Sequence, residues 1–313
     1  MDKERFYKKL NDINNEISNS FPYTHRYTLS VKEINNKTSL LSFYSNKFNR
    51  FPAAYWKNKI DSGEILVNGK VQSSDYLLKS GELTERIERI DSEPFVNKDI
   101  DIIHLDDEFV VLNKPAPLPT QASGRFIKNT LQFILSLVFL EKEIYPIHRL
   151  DANTTGILVF AFSKKTASAL NKQIKNEVFI KKYVAIVEGL VTRNQELTLE
   201  ISNQKMNSGS RELGCGKGAI TQIAVKQLNI NTTLLEIILK TGRTNQIRLH
   251  LSGIGHPILG DKGYKDPTYF LENPMTYTKD SLYLHAWKLS FLHPITNAQM
   301  SFEAPIPEKF FLD

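Results

Sequence analysis

The residues best suited to chemistry lie in two segments. The first is YPIHRLDANTTGILVFA, residues 145–161, where Asp151 closes the polar cluster His148-Arg149-Leu150-Asp151 and Thr154-Thr155-Gly156 leads into an apolar run. A carboxylate on a loop before a buried strand can be a reactive group, or it can simply cap a turn. A glycosidase would need two cooperating carboxylates, and no second acid accompanies Asp151 in its segment. The second segment is KTGRTNQIRLHLSGIGHPILGDKGY, residues 240–264, which supplies Arg243 and Arg248 with no acidic residue until Asp261. Local acids therefore cannot satisfy these arginines, and their expected partners are distant carboxylates or phosphates, in a structural salt bridge or an anion site. The histidines show no HxxxH or comparable ligand spacing, and the single cysteine, Cys215, excludes a multi-cysteine zinc site. No metal is expected.

These groups need a scaffold, and the patterning supplies one. β-like runs fall at 108–113, 156–162, 183–189, 221–228, 234–240 and 282–291. Helices fit 130–141, 163–176 (with Ser163 as N-cap) and 244–251. Several strands follow one another without an intervening helix, which predicts an α+β domain with a mixed, largely antiparallel central sheet. The stretch 203–218, with glycines at 209, 214, 216 and 218, reads as a surface loop. Ahead of the domain, Phe6, Leu10, Ile13 and Ile17 carry the spacing of a short amphipathic helix. A small α/β unit follows, with helices at 40–48 and 53–60 and a hairpin turning at Asn68-Gly69. Glu93-Pro94 marks a linker. The expected division is a helical extension over 1–24, a small module over 25–92, a linker over 93–98 and the main domain over 99–313.

Composition sets the frame. Of 313 residues, 41% are hydrophobic, enough for a substantial core or two unequal ones, and 40 Lys+Arg against 34 Asp+Glu leave a net charge of +6. That excess is compatible with a polyanionic partner without demanding one. One cysteine rules out an internal disulfide and points to a reducing compartment. The charged N-terminus lacks a signal peptide, and the greasy segment at 131–140 is too short to span a bilayer. A cytoplasmic protein without a membrane attachment is expected.

Taken together, HRLD…TG, Lys181-x-Tyr183-x-Ala185-x-x-x-Gly189, GRTNQIRLH and LGD, with the lead-in DDEFVVLNKP at 106–115 and the closing LHAWKLSFLHPIT at 284–296 and APIP at 304–307, resemble the RluA-type pseudouridine synthases. The resemblance runs from about Asp99 to the end of the chain. It departs from the family pattern at DANTTG, where Asp-Arg-Asp-Thr-Ser-Gly is usual, and at Asn245, where a His is common. Neither departure touches Asp151, Tyr183 or Arg248.

The resemblance implies an enzyme that isomerises uridine to pseudouridine in structured RNA, ribosomal RNA first and transfer RNA next, with no cofactor. Asp151 becomes the carboxylate that acts at the ribose, as nucleophile or as base. Arg248 is expected to pair with it, because an unpaired carboxylate in a partly dry pocket would take up a proton. Tyr183 offers a flat face to the uracil and a hydroxyl for proton handling. Arg149 could enter the space of a flipped base, and Ile247 should pack at the pocket floor. Arg243, Lys181 and Lys182 are RNA-binding candidates, as are Lys164, Lys165, Lys172 and Lys175, each of which could instead be a solvated surface charge. The unit over 25–92 resembles a diverged alpha-L RNA-binding module at Trp56, Ile60, Gly63, Val67-Asn68-Gly69, Tyr76 and Leu78-Lys79-Ser80-Gly81, and Lys47, Arg50, Lys57 and Lys59 crowd its helices. No obligate protein partner is evident, and a monomer is expected.

Overall fold

The computed structural model describes residues 3–32, 34, 37–49, 51–202, 212–214, 216–265 and 282–311. Arg50, Cys215 and residues 203–211 of the expected loop lie outside them. The chain forms two compact units, Ser18–Ser92 and Met1–Ile17 with Glu93–Asp313.

Helix α1 (Lys3–Asn19) buries Phe6, Leu10, Ile13 and Ile17, the four residues whose spacing predicts it. Phe6 packs 6.0 Å from Phe139, and Lys9 Nζ donates to the Val138 carbonyl at 3.2 Å. From Lys3 to Ile17 this helix groups with the larger unit, where its apolar stripe finds cover.

The smaller unit holds β1 (Tyr23–Ser30), α2 (Leu40–Lys47), α3 (Ala53–Asp61), β2 (Ile65–Val67), β3 (Lys70–Val71) and β4 (Leu83–Ile90). Its antiparallel sheet has the order β1-β4-β2-β3. Leu40, Tyr44, Trp56, Ile60, Ile65, Val67 and Leu78 form its core. Asn68 and Gly69 both take positive φ, 50° and 76°, as a two-residue hairpin turn requires.

The larger unit continues with β5 (Asp101–Leu105), β6 (Phe109–Lys114), α4 (Leu131–Val138), β7 (Tyr145–Pro146), β8 (Thr155–Ala161), α5 (Lys164–Lys175), β9 (Ile180–Glu188), β10 (Gln195–Ser202), β11 (Gly216–Leu228) and β12 (Thr232–Leu239). After α6 (Gln246–Gly253) and α7 (Lys262–Lys265) come β13 (Leu284–Leu292) and β14 (Gln299–Glu303). The sheet runs β10-β11-β12-β9-β13-β8-β6-β5, with β14 on β13 and β7 on β8. Among the described residues every pairing in it is antiparallel except β13 with β8, where the two halves of the sheet meet. At this seam Gly156 (φ 111°) pairs with Ala286, and a Cβ on it would lie 2.1 Å from the Ala286 carbonyl oxygen. No other residue fits there without moving a central strand.

Helix starts follow their caps. Ser163 and Thr130 accept from backbone N–H groups three residues on, at 3.1 and 3.3 Å. Helix α6 begins at Gln246, two residues later than its pattern predicts, because Asn245 sits in the left-handed region at φ 57°. The linker is not slack: Glu93 accepts from the backbone N–H groups of Ile127, Lys128 and Asn129 at 3.0, 2.9 and 2.8 Å.

Candidate active site

Asp151 lies on the loop entering β8, and three sets of contacts fix that loop. Lys114, fully buried at the end of β6, donates to the carbonyls of Pro115 and Leu118 at 2.8 Å and of Ala152 at 3.2 Å. Burial pushes its ammonium down to about 7, against the pull of the Asp151 charge. Thr120 Oγ1 donates to the Leu150 carbonyl at 2.8 Å and accepts from the Leu150 N–H at 3.1 Å. Leu118 N–H donates to the Ala152 carbonyl at 2.9 Å, so residues 118–120 grip both sides of Asp151.

Helix α6 supplies the opposite wall. Arg248 Nη1 donates to Asp151 Oδ2 at 3.2 Å. Its stronger partner is Asp261, which accepts from Nε at 2.7 Å and Nη2 at 2.8 Å in a bidentate fork. This corrects the expectation that local acids cannot satisfy the arginine: α6 turns back on the residues that follow it and brings Asp261 beneath the guanidinium. Asp261 is only 2% exposed and is taken up by Arg248 and by the Tyr264 N–H at 3.3 Å, so it is not a second free carboxylate for a hydrolase. Burial opposes the Arg248 charge, but the hydrogen bonds and charge of Asp261, reinforced by Asp151, hold its pKa above the ordinary arginine value. The Tyr264 ring stacks under the guanidinium at 4.6 Å.

Asn245 completes the surroundings of the carboxylate. Carboxylate oxygens accept only, so the amide nitrogen faces them, donating to Asp151 Oδ2 at 2.7 Å and Oδ1 at 3.0 Å. In that orientation the amide oxygen accepts from the Tyr264 hydroxyl at 2.7 Å. Gln246, buried beside it, ties the α6 start to the sheet: its oxygen accepts from Thr241 Oγ1 and Arg243 N–H, and its nitrogen donates to the Ile220 carbonyl and Thr221 Oγ1.

Tyr183 lies on β9, in register with Ala286 of β13, whose own neighbour is Gly156. Tyr183 is 5% exposed, and burial followed by the Asp151 charge raises its phenol pKa, which keeps it protonated.

One pocket thus gathers Asp151, Tyr183, Arg248, Ile247, Arg149 and Arg243. Arg149 and Arg243 are exposed at its edge, and among the described residues neither has a carboxylate partner. Lys181 and Lys182 are not part of its lining. Lys181 shares the Tyr183 face of β9 and is 8% exposed, with burial lowering its pKa. Lys182 projects from the other face, where Glu236 of β12 takes its ammonium at 3.2 Å. His148 packs edge-on to Phe179, its ring nitrogens buried, and burial and then the Lys181 charge push its pKa down to about 3. It is neutral at any physiological pH. No cluster of His, Cys, Asp and Glu among the described residues is arranged to hold a metal.

Fold and pocket place the chain among the pseudouridine synthases. The RNA pseudouridylate synthase family matches residues 108–253, a span that runs from β6 to the end of α6 and contains Asp151, Tyr183 and Arg248. An RNA pseudouridine synthase of Bacillus subtilis (strain 168) is 30% identical over 283 residues, 86% of this chain and 89% of the relative. The ribosomal large subunit pseudouridine synthase C of Buchnera aphidicola subsp. Schizaphis graminum is 29% identical over 285 residues, 86% of this chain and 90% of the relative. The dual-specificity RNA pseudouridine synthase RluA of Pasteurella multocida is 38% identical over 216 residues, 66% of this chain and 93% of the relative. The human RNA pseudouridylate synthase domain containing 1 shares the fold, with a TM-score of 0.54 at 23% identity over 68% of this chain and 86% of that one. The chain belongs to the RluA-type RNA pseudouridine synthase family, and it isomerises uridine to pseudouridine in RNA.

Proposed function

We propose that Asp151 is the carboxylate that acts at the ribose of the target uridine, and that the target lies in ribosomal RNA in preference to transfer RNA. The observation that carries this reading is the Asp151 side chain, 25% exposed, tied to Arg248 at 3.2 Å and sharing its pocket with Tyr183. The isomerisation breaks the N-glycosidic bond, turns the uracil and joins its carbon-5 to the ribose, with no redox change and no need of a cofactor. Arg248, braced by Asp261, holds a positive charge beside the reacting carboxylate. Tyr183 gives the uracil a flat face, and its protonated hydroxyl serves the proton lost from carbon-5 as a relay, handing its own proton on to solvent as it takes that one. Ile247 forms part of the floor. Arg149, free at the edge, takes the place of the flipped base, offsetting part of an unstacking cost of roughly a few kcal/mol.

Phosphates find their cations outside the pocket. Lys164, Lys165, Lys172 and Lys175 are exposed on α5 and have no carboxylate partner among the described residues. At 3.6 residues per turn they fall within an arc of about 100°, opposite the buried Thr166, Ala167 and Leu170. That basic stripe is read as a backbone track, with Arg243 and Lys181 nearer the target. Lys182, paired with Glu236, contributes less. The smaller unit is read as an RNA-binding module that adds affinity without a chemical group, and the enzyme as one that acts as a monomer.

Ribosomal RNA is favoured because the ribosomal large subunit synthase C matches 86% of this chain, whereas the dual-specificity relative matches 66%. Mapping pseudouridine in total RNA from a deletion strain tests both parts. Sites lost on deletion should lie in ribosomal RNA and return with the wild-type chain, but not with Asp151→Asn. Sites restored by Asp151→Asn would refute the assignment, and sites confined to transfer RNA would reverse the substrate preference.

A further inference from the structure

We propose that Asn245 is a positioning residue for the Asp151 carboxylate, an inference that rests on the reading of Asp151 as the reacting group. The geometry is a closed ring of four side chains. Asn245 donates to both carboxylate oxygens, Tyr264 donates to the Asn245 amide oxygen, the Tyr264 ring stacks on Arg248, and Arg248 donates back to Asp151.

Each member fixes a freedom the others leave. Arg248 alone grips one oxygen at 3.2 Å, which permits the carboxylate to rotate about its Cβ–Cγ bond. A second donor reaching both oxygens, at 2.7 and 3.0 Å, sets the plane of the group. The carboxylate, which only accepts, decides which end of the amide faces it, and the Tyr264 hydroxyl then satisfies the amide oxygen. The backbone supports the same purpose. Asn245 sits at φ 57° just before α6, makes no side-chain cap to that helix, and aims its amide at the pocket. Asparagine is the residue other than glycine most at ease there, so one side chain meets the backbone and the carboxylate requirements together. A misplacement of about 1 Å in a reacting group can cost about 100-fold in rate.

Four variants and one control test this. Asn245→Gly accepts the left-handed backbone without strain and removes the amide. Asn245→Asp keeps shape and backbone preference but puts an acceptor where the donor was, against Asp151. Tyr264→Phe keeps the stack on Arg248 and loses the hydroxyl. Asn245→His restores a donor and an acceptor. Single-turnover rates at saturating RNA, RNA affinity and the pH profile of the rate are measured for each, with Asp151→Asn alongside.

Asn245→Gly should lose about tenfold or more in rate with RNA affinity held within about twofold. Its acid limb should move to higher pH, because a hydrogen bond to the charged form is gone. Asn245→Asp should show the larger rate loss and the larger shift in the same direction, Tyr264→Phe a smaller one, and Asn245→His should recover most of the rate. Should Asn245→Gly fail to fold by circular dichroism, Tyr264→Phe decides by the same readouts. Wild-type rate and an unmoved acid limb in the folded variants, with Asp151→Asn inactive, would overturn the positioning role. An active Asp151→Asn would instead overturn the reading on which it rests.

Discussion

In the smaller unit Lys57 reaches Asp61 at 2.6 Å, one helical turn along α3, with both side chains about half exposed. In the larger unit Arg248 is 15% exposed and reaches Asp261 and Asp151, 13 and 97 residues away in sequence. Both are Lys/Arg–carboxylate pairs with good geometry, yet they are different physical objects. The exposed pair competes with water and salt, and its partner is found by the helix itself. The buried network exists only when two distant segments fold against each other, and a charge left alone in it has no solvent to turn to. The proposed chemistry draws on the second kind, where the fold can fix a charge to within ångströms.

That contrast can be broken first at Arg248. Arg248→Ala should destabilise the protein by about 3–5 kcal/mol, because it strands Asp261 as well as Asp151. Turnover should fall far more than RNA affinity. Urea unfolding and single-turnover kinetics on the same preparation check this, and an active, stable variant would show that the network is not coupled to the chemistry.

Lys114 offers a subtler test, since it is a buried cation without an adjacent carboxylate bond. Its pKa in the folded protein is about 7, against 10.5 for an ordinary lysine, because burial disfavours the ammonium. Between those pH values folding releases a proton, so the contribution of Lys114 to stability rises with pH from about 7 to about 10.5 and stays at its lowest below that window. The slope is at most about 1.4 kcal/mol per pH unit. Subtracting the stability profile of Lys114→Met from that of the wild type should reveal this rise; a flat difference would mean that the lysine stays charged in the fold.

The smallest effect belongs to the exposed pair. Lys57→Ala should shift the melting temperature by no more than about 1 °C, as exposed ion pairs usually do. A loss comparable to that of Arg248→Ala would erase the distinction between the two kinds of pair.

How far the sequence carries depends on the same distinction. Asp151, Tyr183 and Arg248 are legible because each sits in a contiguous block whose residue types stand in the family order. The strands at 156–162, 183–189 and 234–240 are legible because long apolar runs leave little choice. Asp261 is visible as the end of the LGD block and the next acid after Arg248, but nothing local tells that α6 folds back over it. Asn245 stands out as a departure from the family pattern, but its reach to both Asp151 oxygens depends on a left-handed φ that no periodicity encodes. Nothing local in NKP marks Lys114 as buried, and its burial follows from the loop that wraps it. Strand β1 goes unread although Tyr23, His25, Tyr27 and Leu29 alternate along it, because tyrosine and histidine are only half apolar. Strand β4, LTERIERI, is hidden by its own charges.

The central claim is that one pocket carboxylate performs the isomerisation, and Asp151→Asn is its most direct test. The substitution keeps the shape of the side chain and removes one negative charge, so RNA binding should be unchanged or slightly tighter. Purified wild-type and Asp151→Asn enzymes are mixed in excess with RNA carrying the mapped uridine, and pseudouridine is followed over a single turnover beside an affinity measurement. The account predicts full binding with no pseudouridine formed by the variant. Conversion at a rate near that of the wild type would contradict it.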